Sequence, residues 1–284
     1  ICVPGGEPLG VGETLTNRPL ARVFRAIARD GAGVFYDGWV GRDVVAAVRD
    51  ANNPGMLSLA DMAAYEAKER SGMCRPYRRW RVCGMPPPSS GGITLLQALG
   101  ILDSFDLGAL EPDSAKTVHL LSEAMGLAFA DRNTYIADPD FVAVPQEELL
   151  DPGYLAARAR LVSPHETMDE VAPGIISGSL PQRLNLAPAE AMERPSTTHL
   201  SVIDGQGNAV ALTSSIENAF GSRLMVDGFL LNNQLTDFSF RPRAAGQEVA
   251  NRVAPGKRPV GSMAPTLVLN EQGQLVLVLG SPGG

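Results

Sequence analysis

The chain has 284 residues, of which 44% are hydrophobic, enough for one large domain or two small domains with a real core. Its net charge of −7 argues against binding to nucleic acid or to anionic membranes, since both favour a basic protein face. No apolar run approaches the roughly 20 residues that a membrane helix needs, so we expect no membrane span. The start at Ile1 resembles neither an initiator methionine nor a signal peptide, which indicates part of a longer protein.

Helical patterns dominate the first half of the chain. Apolar residues recur at helical spacing over 16–30 and the pattern stops at Gly31, while the longest helical signal covers Asp113–Asn133. Ser58 followed by Asp61 forms a capping box, which predicts a helix over Leu59–Arg70. Shorter helices are predicted over 43–51, 93–102 and 154–161.

Two cysteines lie on a predicted hairpin that turns at Arg78 and Arg79. In that register Cys74 and Cys83 face each other across the strands, close enough for a bridge if the geometry suits. We expect two buried thiols, with a disulfide as the alternative. Cys2 makes the count odd, so cysteine usage does not decide the compartment.

Two segments between the predicted elements cannot form regular structure. Residues 86–92, Pro-Pro-Pro-Ser-Ser-Gly-Gly, have three prolines without amide donors and two flexible glycines, so they form either a rigid connector or a wall of an active site. Residues 171–195 contain prolines and small residues without periodicity, which predicts a flexible, exposed linker of the kind that ends at a processing site.

After residue 197 the pattern is that of antiparallel strands. Leu200 and Val202 precede a Gly-rich turn and a second alternating run, which predicts a hairpin, and further strands are predicted over 229–232, 263–269 and 275–279.

The three histidines do not suggest a metal site. His119 and Glu123 lie four residues apart on a predicted helix, but no third ligand follows at a suitable spacing, so we expect an ordinary surface or core histidine. The chain also contains no Gly-x-Ser-x-Gly sequence, so a Ser-His-Asp hydrolase is poorly supported.

The sequence Thr197-Thr198-His199 opens the first clear strand. A threonine hydroxyl is a poor nucleophile unless a base lies next to it, and its own α-amine, with a pKa of roughly 7.7 to 8.0, can act as that base. This chemistry requires cleavage of the bond after Ser196. On these residues alone, ordinary β-propensity is the better explanation.

The motifs that follow and precede Thr197 occur in one order, and together they resemble the γ-glutamyltransferase family of N-terminal-nucleophile hydrolases. They are Met85–Gly92, Phe129–Arg132, Ala137–Phe141, Thr197–His199, Leu231–Gln234 with Asp237–Ser239, Lys257–Pro259 with Ser262, and Gly280–Gly284.

The resemblance implies a fold and a division of the chain. The fold is a four-layer αββα sandwich of the α+β class, here truncated at both ends. The precursor cuts itself before the nucleophile, so residues 1–196 correspond to part of the large subunit and 197–284 to the start of the small subunit. No metal or organic cofactor is implied. Members are usually periplasmic, secreted or surface-bound.

The resemblance also assigns the chemistry of acyl transfer. Thr197 is the nucleophile, Ser215 supports its hydroxyl, and Gly283 and Gly284 supply the N–H groups that stabilise the tetrahedral oxyanion.

A γ-glutamyl substrate also carries an α-carboxylate and an α-ammonium group. By resemblance, Ser262 binds the carboxylate, whereas Gln234 and Asp237 bind the ammonium. Glu217 replaces an asparagine next to that ammonium; its carboxylate either strengthens cation binding or points away.

Other departures from the family pattern affect the pocket. Gly261 replaces the first serine of a pair, and no arginine in the chain matches the family's carboxylate-binding arginine by motif. Residues 240–251 are short for the family's lid, which favours large acceptors or water.

We therefore expect an enzyme that transfers a γ-glutamyl group from glutathione or a related amide to water, an amino acid or a peptide. The alternatives are a cephalosporin (glutaryl) acylase of the same fold, whose substrate has no α-ammonium, and a non-catalytic, unprocessed homologue.

Overall fold

The computed structural model describes residues 6–176, 186–189 and 197–281. These residues divide into two compact units. The first unit contains the described residues up to Glu69 together with Ile216–Asn233, and the second contains those from Arg70 to Ser215 and from Gln234 onward. Helices predominate before the linker and strands after it, so the fold class is α+β as predicted.

The helices, in chain order, are α1 (Arg18–Asp30), α2 (Gly33–Tyr36), α3 (Trp39–Arg49), α4 (Leu59–Ala63), α5 (Gly91–Leu102), α6 (Ala115–Tyr135), α7 (Gln146–Leu149) and α8 (Pro152–Ala159). The strands are β1 (Met73–Tyr77), β2 (Trp80–Gly84), β3 (Leu186–Ala187), β4 (Thr197–Ile203), β5 (Ala209–Ser215), β6 (Met225–Val226), β7 (Phe229–Leu230), β8 (Arg243–Ala244), β9 (Gln247–Val249), β10 (Thr266–Leu269) and β11 (Leu275–Leu279). None of the described helices is both long enough and apolar enough to cross a membrane.

The first unit encloses a small apolar core between its helices and the β6–β7 hairpin. Helix α1 begins after Asn17, whose side-chain oxygen accepts a hydrogen bond from the Leu20 amide, and it ends at Gly31, as predicted. The core residues are Val23, Val40, Val44 and Val226.

The capping box of α4 is present, but the helix is much shorter than predicted. The Ser58 hydroxyl accepts a hydrogen bond from the Asp61 amide at 3.2 Å, and the Asp61 carboxylate accepts one from the Ser58 amide at 2.8 Å. The helix nevertheless ends at Ala63 instead of Arg70, because residues 63–69 are all exposed. Met62 of α4 packs against the core of the first unit, but a longer helix would bury no further side chain and would gain too little from packing to offset its ordering.

The second unit is built on a four-stranded antiparallel sheet with the order β1-β2-β10-β11. In the middle of the sheet, Val82 of β2 lies opposite Val268 of β10. Helices α5, α6 and α8 pack together through a separate apolar cluster, whose largest members are Ile101, Leu120, Leu127 and Leu155. The helices predicted over 93–102, 113–133 and 154–161 are confirmed to within a few residues.

Strands β4 and β5 form the predicted hairpin. Seven residue pairs run from Thr197↔Ser215 to Ile203↔Ala209, and the Asp204 carboxylate closes the turn by accepting hydrogen bonds from the amides of Gln206 and Asn208. One face carries the paired apolar side chains Leu200, Val202, Val210 and Leu212, each about half exposed to solvent in the described chain.

Cys74 and Cys83 are joined by a disulfide, so the expectation of two buried thiols was wrong. The predicted register is confirmed, because the two cysteines are direct partners in the β1–β2 ladder. The expectation failed on burial: Cys74 is exposed and Cys83 only half-buried, so neither is enclosed in the core.

Part of the predicted linker forms a strand. Leu186 and Ala187 form β3, which pairs in parallel with β9, and Ala187 is buried. The prediction of an exposed, flexible segment is therefore wrong for these two residues. The rest of the predicted linker beyond residue 176, apart from 188–189, lies outside the described residues.

Candidate active site

Thr197 is the first residue of β4, and its side chain is half-buried. The register places Ser215 directly opposite, and the Thr197 Oγ1 hydroxyl donates a hydrogen bond to Ser215 Oγ at 3.2 Å. Because both residues belong to one regular ladder, the backbone pairing itself fixes their approach. The predicted pair of hydroxyls is therefore brought together, next to the predicted cleavage point.

His199 extends this polar face of the hairpin. Side chains two residues apart on a strand point the same way, so His199 lies beside Thr197. Its Nδ1 hydrogen-bonds with Thr213 Oγ1 at 2.7 Å, and its Nε2 with Ser201 Oγ at 3.1 Å. Gly280 packs against the ring so closely that a Cβ at this position would lie 2.3 Å from His199 Cε1.

The contact between Gly280 and His199 holds the end of β11 against the hairpin. Gly283 and Gly284, the glycines predicted to form the oxyanion hole, follow shortly after Gly280 but lie outside the described residues.

Gln234 and Asp237 lie at the two ends of one short 3₁₀ turn. The Gln234 amide donates from Nε2 to Asp237 Oδ2 at 2.9 Å, which aligns the carboxylate. Asn251 donates from Nδ2 to the Asp237 backbone carbonyl at 2.7 Å, and its own Oδ1 accepts from the Val260 amide at 3.2 Å. The predicted ammonium-binding pair is thus assembled and tied to the segment that precedes Ser262.

The turn that carries Ser262, residues 260–263, is called the Ser262 turn below. The prediction of irregular structure over 86–92 is wrong for Gly91 and Gly92, which begin α5. The loop 86–90 is fastened to the Ser262 turn by direct hydrogen bonds: Ser90 donates from both its amide (2.7 Å) and its hydroxyl (2.8 Å) to the Gly261 carbonyl, and Ser89 Oγ donates to the Met263 carbonyl at 2.5 Å. A Cβ on Gly91 would lie 2.6 Å from the carbonyl oxygens of both Ser262 and Met263. Glycine is therefore needed at position 91 for this close approach, and residues 86–91 brace the turn.

Arg132 is the residue at this turn that the sequence analysis did not find. Its guanidinium is buried and donates from Nη2 to Ser262 Oγ at 2.8 Å and from Nε to Ser90 Oγ at 3.0 Å. Arg132 belongs to the motif Phe129–Arg132. It precedes Ser262 by 130 residues, so no local sequence pattern could indicate that the two side chains are in contact.

A buried carboxylate holds the segment just before the Ser262 turn. Asp138 is fully buried; its Oδ2 accepts from the Arg258 backbone amide at 2.8 Å, and its Oδ1 lies 3.3 Å from the Arg70 guanidinium. Lys257, also buried, donates from Nζ to the carbonyls of Ala250 (2.5 Å) and Arg252 (3.0 Å). Burial lowers the pKa of Lys257; Arg252 lowers it further and Asp138 opposes the change.

Glu217 belongs to the first unit, where it is buried in the left-handed backbone region at φ +70°. Non-glycine residues are uncommon in this region. Its carboxylate accepts a hydrogen bond from the Asn233 side chain, and Asn233 Oδ1 in turn accepts from the Asn218 amide at 2.9 Å. The structure thus shows what holds the Glu217 carboxylate, and its role toward an ammonium group stays a prediction.

A second buried carboxylate, Asp131, neighbours Arg132 on α6. It accepts from the Tyr154 hydroxyl at 2.7 Å, the Gly174 amide at 2.7 Å and Gln97 Nε2 at 3.0 Å. Burial raises the pKa of Asp131, opposed mainly by Arg158. This network fixes α5, α6 and α8 together, and we regard it as structural.

His119 and Glu123, both on α6, form hydrogen bonds with different parts of the chain. His119 Nε2 hydrogen-bonds with the Ser163 carbonyl at 2.8 Å, whereas the Glu123 carboxylate accepts from the Met168 amide at 2.9 Å. Across residues 6–176, 186–189 and 197–281, no group of three or more His, Cys, Asp or Glu side chains is arranged to hold a metal ion.

Comparison with known proteins places this fold among the N-terminal-nucleophile hydrolases. The solved structure of a cephalosporin acylase from Bacillus halodurans superposes with a TM-score of 0.79 at 26% sequence identity, over 98% of this chain and 46% of that one. The family model for gamma-glutamyltranspeptidase matches residues 1–284. The chain therefore belongs to the gamma-glutamyltranspeptidase family.

Two curated relatives illustrate the range of the family. The glutathione hydrolase proenzyme of Escherichia coli (strain K12) is 39% identical over 98% of this chain and 47% of its own length. The acylase ACY 1 proenzyme of Pseudomonas sp. (strain SE83) is 36% identical over 99% of this chain and 47% of its own length. The chain thus spans about half the length of the curated relatives it matches.

Proposed function

We propose that the protein containing this chain is a γ-glutamyltransferase or glutathione hydrolase that cleaves itself before Thr197. The observation that carries the proposal is the position of Thr197: it begins β4 with its hydroxyl bonded to Ser215, so cleavage would leave a free α-amine on the residue whose hydroxyl is already oriented. The names of the relatives support processing, since both curated relatives described above are proenzymes.

The proposed reaction proceeds through an ester on Thr197. The α-amine takes the proton from Oγ1, and Oγ1 attacks the γ-carbonyl carbon of the substrate. The resulting oxyanion is stabilised by the N–H groups of Gly283 and Gly284. When the C–N bond breaks, the departing amine takes the proton; water or an acceptor amine then attacks the ester, and Thr197 regains its hydroxyl.

The assignment of substrate rests on the polar groups around the acyl chain. Ser262 offers a hydroxyl to the α-carboxylate, and the aligned pair Gln234 and Asp237 accepts the α-ammonium group. Residues 240–251 form only the short β8–β9 turn, and this favours hydrolysis or large acceptors. The partner is a small γ-glutamyl compound such as glutathione.

A cephalosporin or glutaryl acylase is the second candidate. It is favoured by the acylase relatives. A glutaryl group has no α-ammonium, however, and would leave Asp237 without its proposed counter-ion. The presence of Gln234 hydrogen-bonded to Asp237 therefore favours the γ-glutamyl substrate.

The deciding experiment is the intact mass of the purified full-length protein, followed by N-terminal sequencing of any smaller polypeptide. We expect a fragment that begins Thr-Thr-His-Leu, and then hydrolysis of γ-glutamyl amides in preference to glutaryl amides. A single uncut chain after long incubation would refute the proposal and favour a non-catalytic homologue. Cleavage with a preference for glutaryl amides would favour the acylase.

A further inference from the structure

We infer that Arg132 is a positioning residue for substrate binding: it sets the Ser262 hydroxyl as a hydrogen-bond donor to the carboxylate of the acyl group. This inference rests on the proposed function for the reaction that the protein catalyses. The group it concerns is the carboxylate of the acyl chain, which γ-glutamyl and glutaryl substrates share. It assigns a part in recognition to Arg132, for which the motif Phe129–Arg132 predicted no role.

The direction of the hydrogen bond at Ser262 is fixed by chemistry. A guanidinium has only donors, so Ser262 Oγ accepts in its 2.8 Å bond from Arg132 Nη2. The hydroxyl hydrogen of Ser262 is then directed to a different acceptor. A hydroxyl that already accepts from a cation is a better donor, and a carboxylate is the acceptor that gains most from it.

The cation itself is held in one orientation from three sides. Nε donates to Ser90 Oγ at 3.0 Å, Nη1 donates to Asn133 Oδ1 at 2.9 Å, and the guanidinium lies 5.8 Å from the centre of the Phe129 ring. Arg132 is 5% exposed, so its charge is little screened by water and acts strongly on nearby groups. A guanidinium that is already held in place loses little conformational entropy when a ligand binds.

Ser90 links the arginine to the backbone of the Ser262 turn. Its hydroxyl accepts from Arg132 and donates to the Gly261 carbonyl, the peptide group directly before Ser262. The turn is thereby held at its side chain by Arg132 and at its backbone by Ser90. A site held in this way is preorganised, which is what precise carboxylate binding requires.

Gly261 makes the dependence on Arg132 stronger. Where the family has a second serine, this chain has a residue without a side-chain donor. Within residues 260–263, only Ser262 has a side-chain hydroxyl. If its hydrogen bond from Arg132 is lost, no other side chain of the turn can replace it as a donor to the carboxylate.

The experiment compares three amides with the same leaving group in the full-length, processed protein. The γ-glutamyl and glutaryl amides carry the carboxylate, whereas the 4-aminobutyryl amide keeps the ammonium and lacks it. For Arg132→Gln we expect kcat/KM to fall about 10- to 100-fold for the two carboxylate substrates, mainly through KM, and to stay within about twofold for the third. Equal losses on all three amides, or no loss, would overturn the inference.

A double-mutant cycle provides the second test. Because Arg132 acts through Ser262, the pair Arg132→Gln and Ser262→Ala should lose little more than Ser262→Ala alone, whereas additive losses would contradict this route. If the glutamine variant fails to fold, Arg132→Lys serves instead, since it keeps the charge but not the fork. The lysine variant should show the same substrate pattern in weaker form; uniform losses would again count against the inference.

Calorimetric binding of glutarate separates this inference from the proposed reaction. If wild type hydrolyses glutaryl but not γ-glutamyl amides, the γ-glutamyl assignment fails while the comparison at Arg132 still applies. If no amide is cleaved, weaker glutarate binding by Arg132→Gln supports the inference. Unchanged affinity, or no binding of glutarate by the wild-type protein, overturns it.

Discussion

The β4–β5 hairpin and the Ser262 turn are stabilised in different ways. The hairpin brings Thr197 and Ser215 together through an uninterrupted backbone ladder of seven pairs, and one of its faces is half exposed. The Ser262 turn has almost no regular structure. It depends on the buried side chains of Ser90 and Arg132, while the buried Asp138 holds Arg258, two residues before the turn.

This difference indicates which property a substitution should affect in each part of the site. In the hairpin the backbone fixes the geometry, so a side chain can be changed with a local chemical effect. At the Ser262 turn two backbone hydrogen bonds reach Gly261, from the Ser90 amide and to the Pro88 carbonyl, and buried side chains supply further contacts. The loss of one buried polar group there leaves its partners unsatisfied. Substitutions in the hairpin should therefore affect chemistry before stability, and those around the turn should affect stability or binding first.

The largest expected effect belongs to the hairpin. Thr197→Ala should abolish self-cleavage and lower turnover by at least about 10³-fold, because the hydroxyl is the proposed nucleophile. Intact mass and γ-glutamyl amide hydrolysis measure both effects. Thr197→Ser is the matched control, since it keeps a hydroxyl and should still be processed. Activity that survives in the alanine variant would show that the nucleophile is misassigned.

The next effect belongs to the surroundings of the turn. Asp138→Ala removes a buried carboxylate from the Arg258 amide and from Arg70, and should lower the free energy of unfolding by about 3 kcal/mol. Urea unfolding of an uncleavable Thr197→Ala background measures it without the complication of two polypeptides. Asp140→Ala, which removes the more exposed carboxylate near Arg70, is the control and should cost less than about 1 kcal/mol. Equal losses of unfolding free energy in the two variants would show that Asp138 stabilises the fold no more than Asp140 does.

The sequence predicted the hairpin better than it predicted the turn, and the reason is physical. A period-two pattern around a Gly-rich turn predicted the hairpin from local information. The pairing of Thr197 with Ser215 was implied by the family resemblance, and the β4–β5 register sets the two residues opposite each other. The contact of Arg132 with Ser262 depends on how α6 packs against the loop 86–90, and no local sequence pattern indicates it.

The errors in the fold have a similar origin. The capping box identified the start of α4 but carried no information about its end, which depends on the exposure of residues 63–69. The hairpin register identified Cys74 and Cys83 as neighbours, but the burial of that face of the sheet was set by tertiary packing.

A smaller effect tests the support of the nucleophile. Ser215→Ala removes the acceptor of the Thr197 hydroxyl and should lower kcat about tenfold, with little change in unfolding. Steady-state kinetics together with urea unfolding separate the two effects. Ser215→Thr keeps the hydroxyl and should stay near wild type. A large loss of stability in the alanine variant would contradict the view that the backbone ladder holds the hairpin.

The smallest effect is a dependence of stability on pH near the turn. Burial lowers the pKa of Lys257 in the folded protein relative to about 10.5 in the unfolded chain. Between these two values the unfolded state binds more protons, so stability should rise with pH as the folded lysine loses its charge. Urea unfolding between about pH 8 and 10 should show a steeper rise for the Thr197→Ala background than for the same protein with Lys257→Met. If the unfolding free energies of the two proteins change equally with pH, Lys257 is not the group responsible.

The central sheet has one more consequence. Strand β2 precedes residue 196 and β10 follows residue 197, and the two pair along Gly84↔Thr266 to Arg81↔Leu269 in the middle of the sheet. A nick before Thr197 would break one covalent bond and leave this ladder whole. The two polypeptides should then elute together from a native sizing column and separate only in denaturant, so that the scissile bond can be lost without loss of the fold.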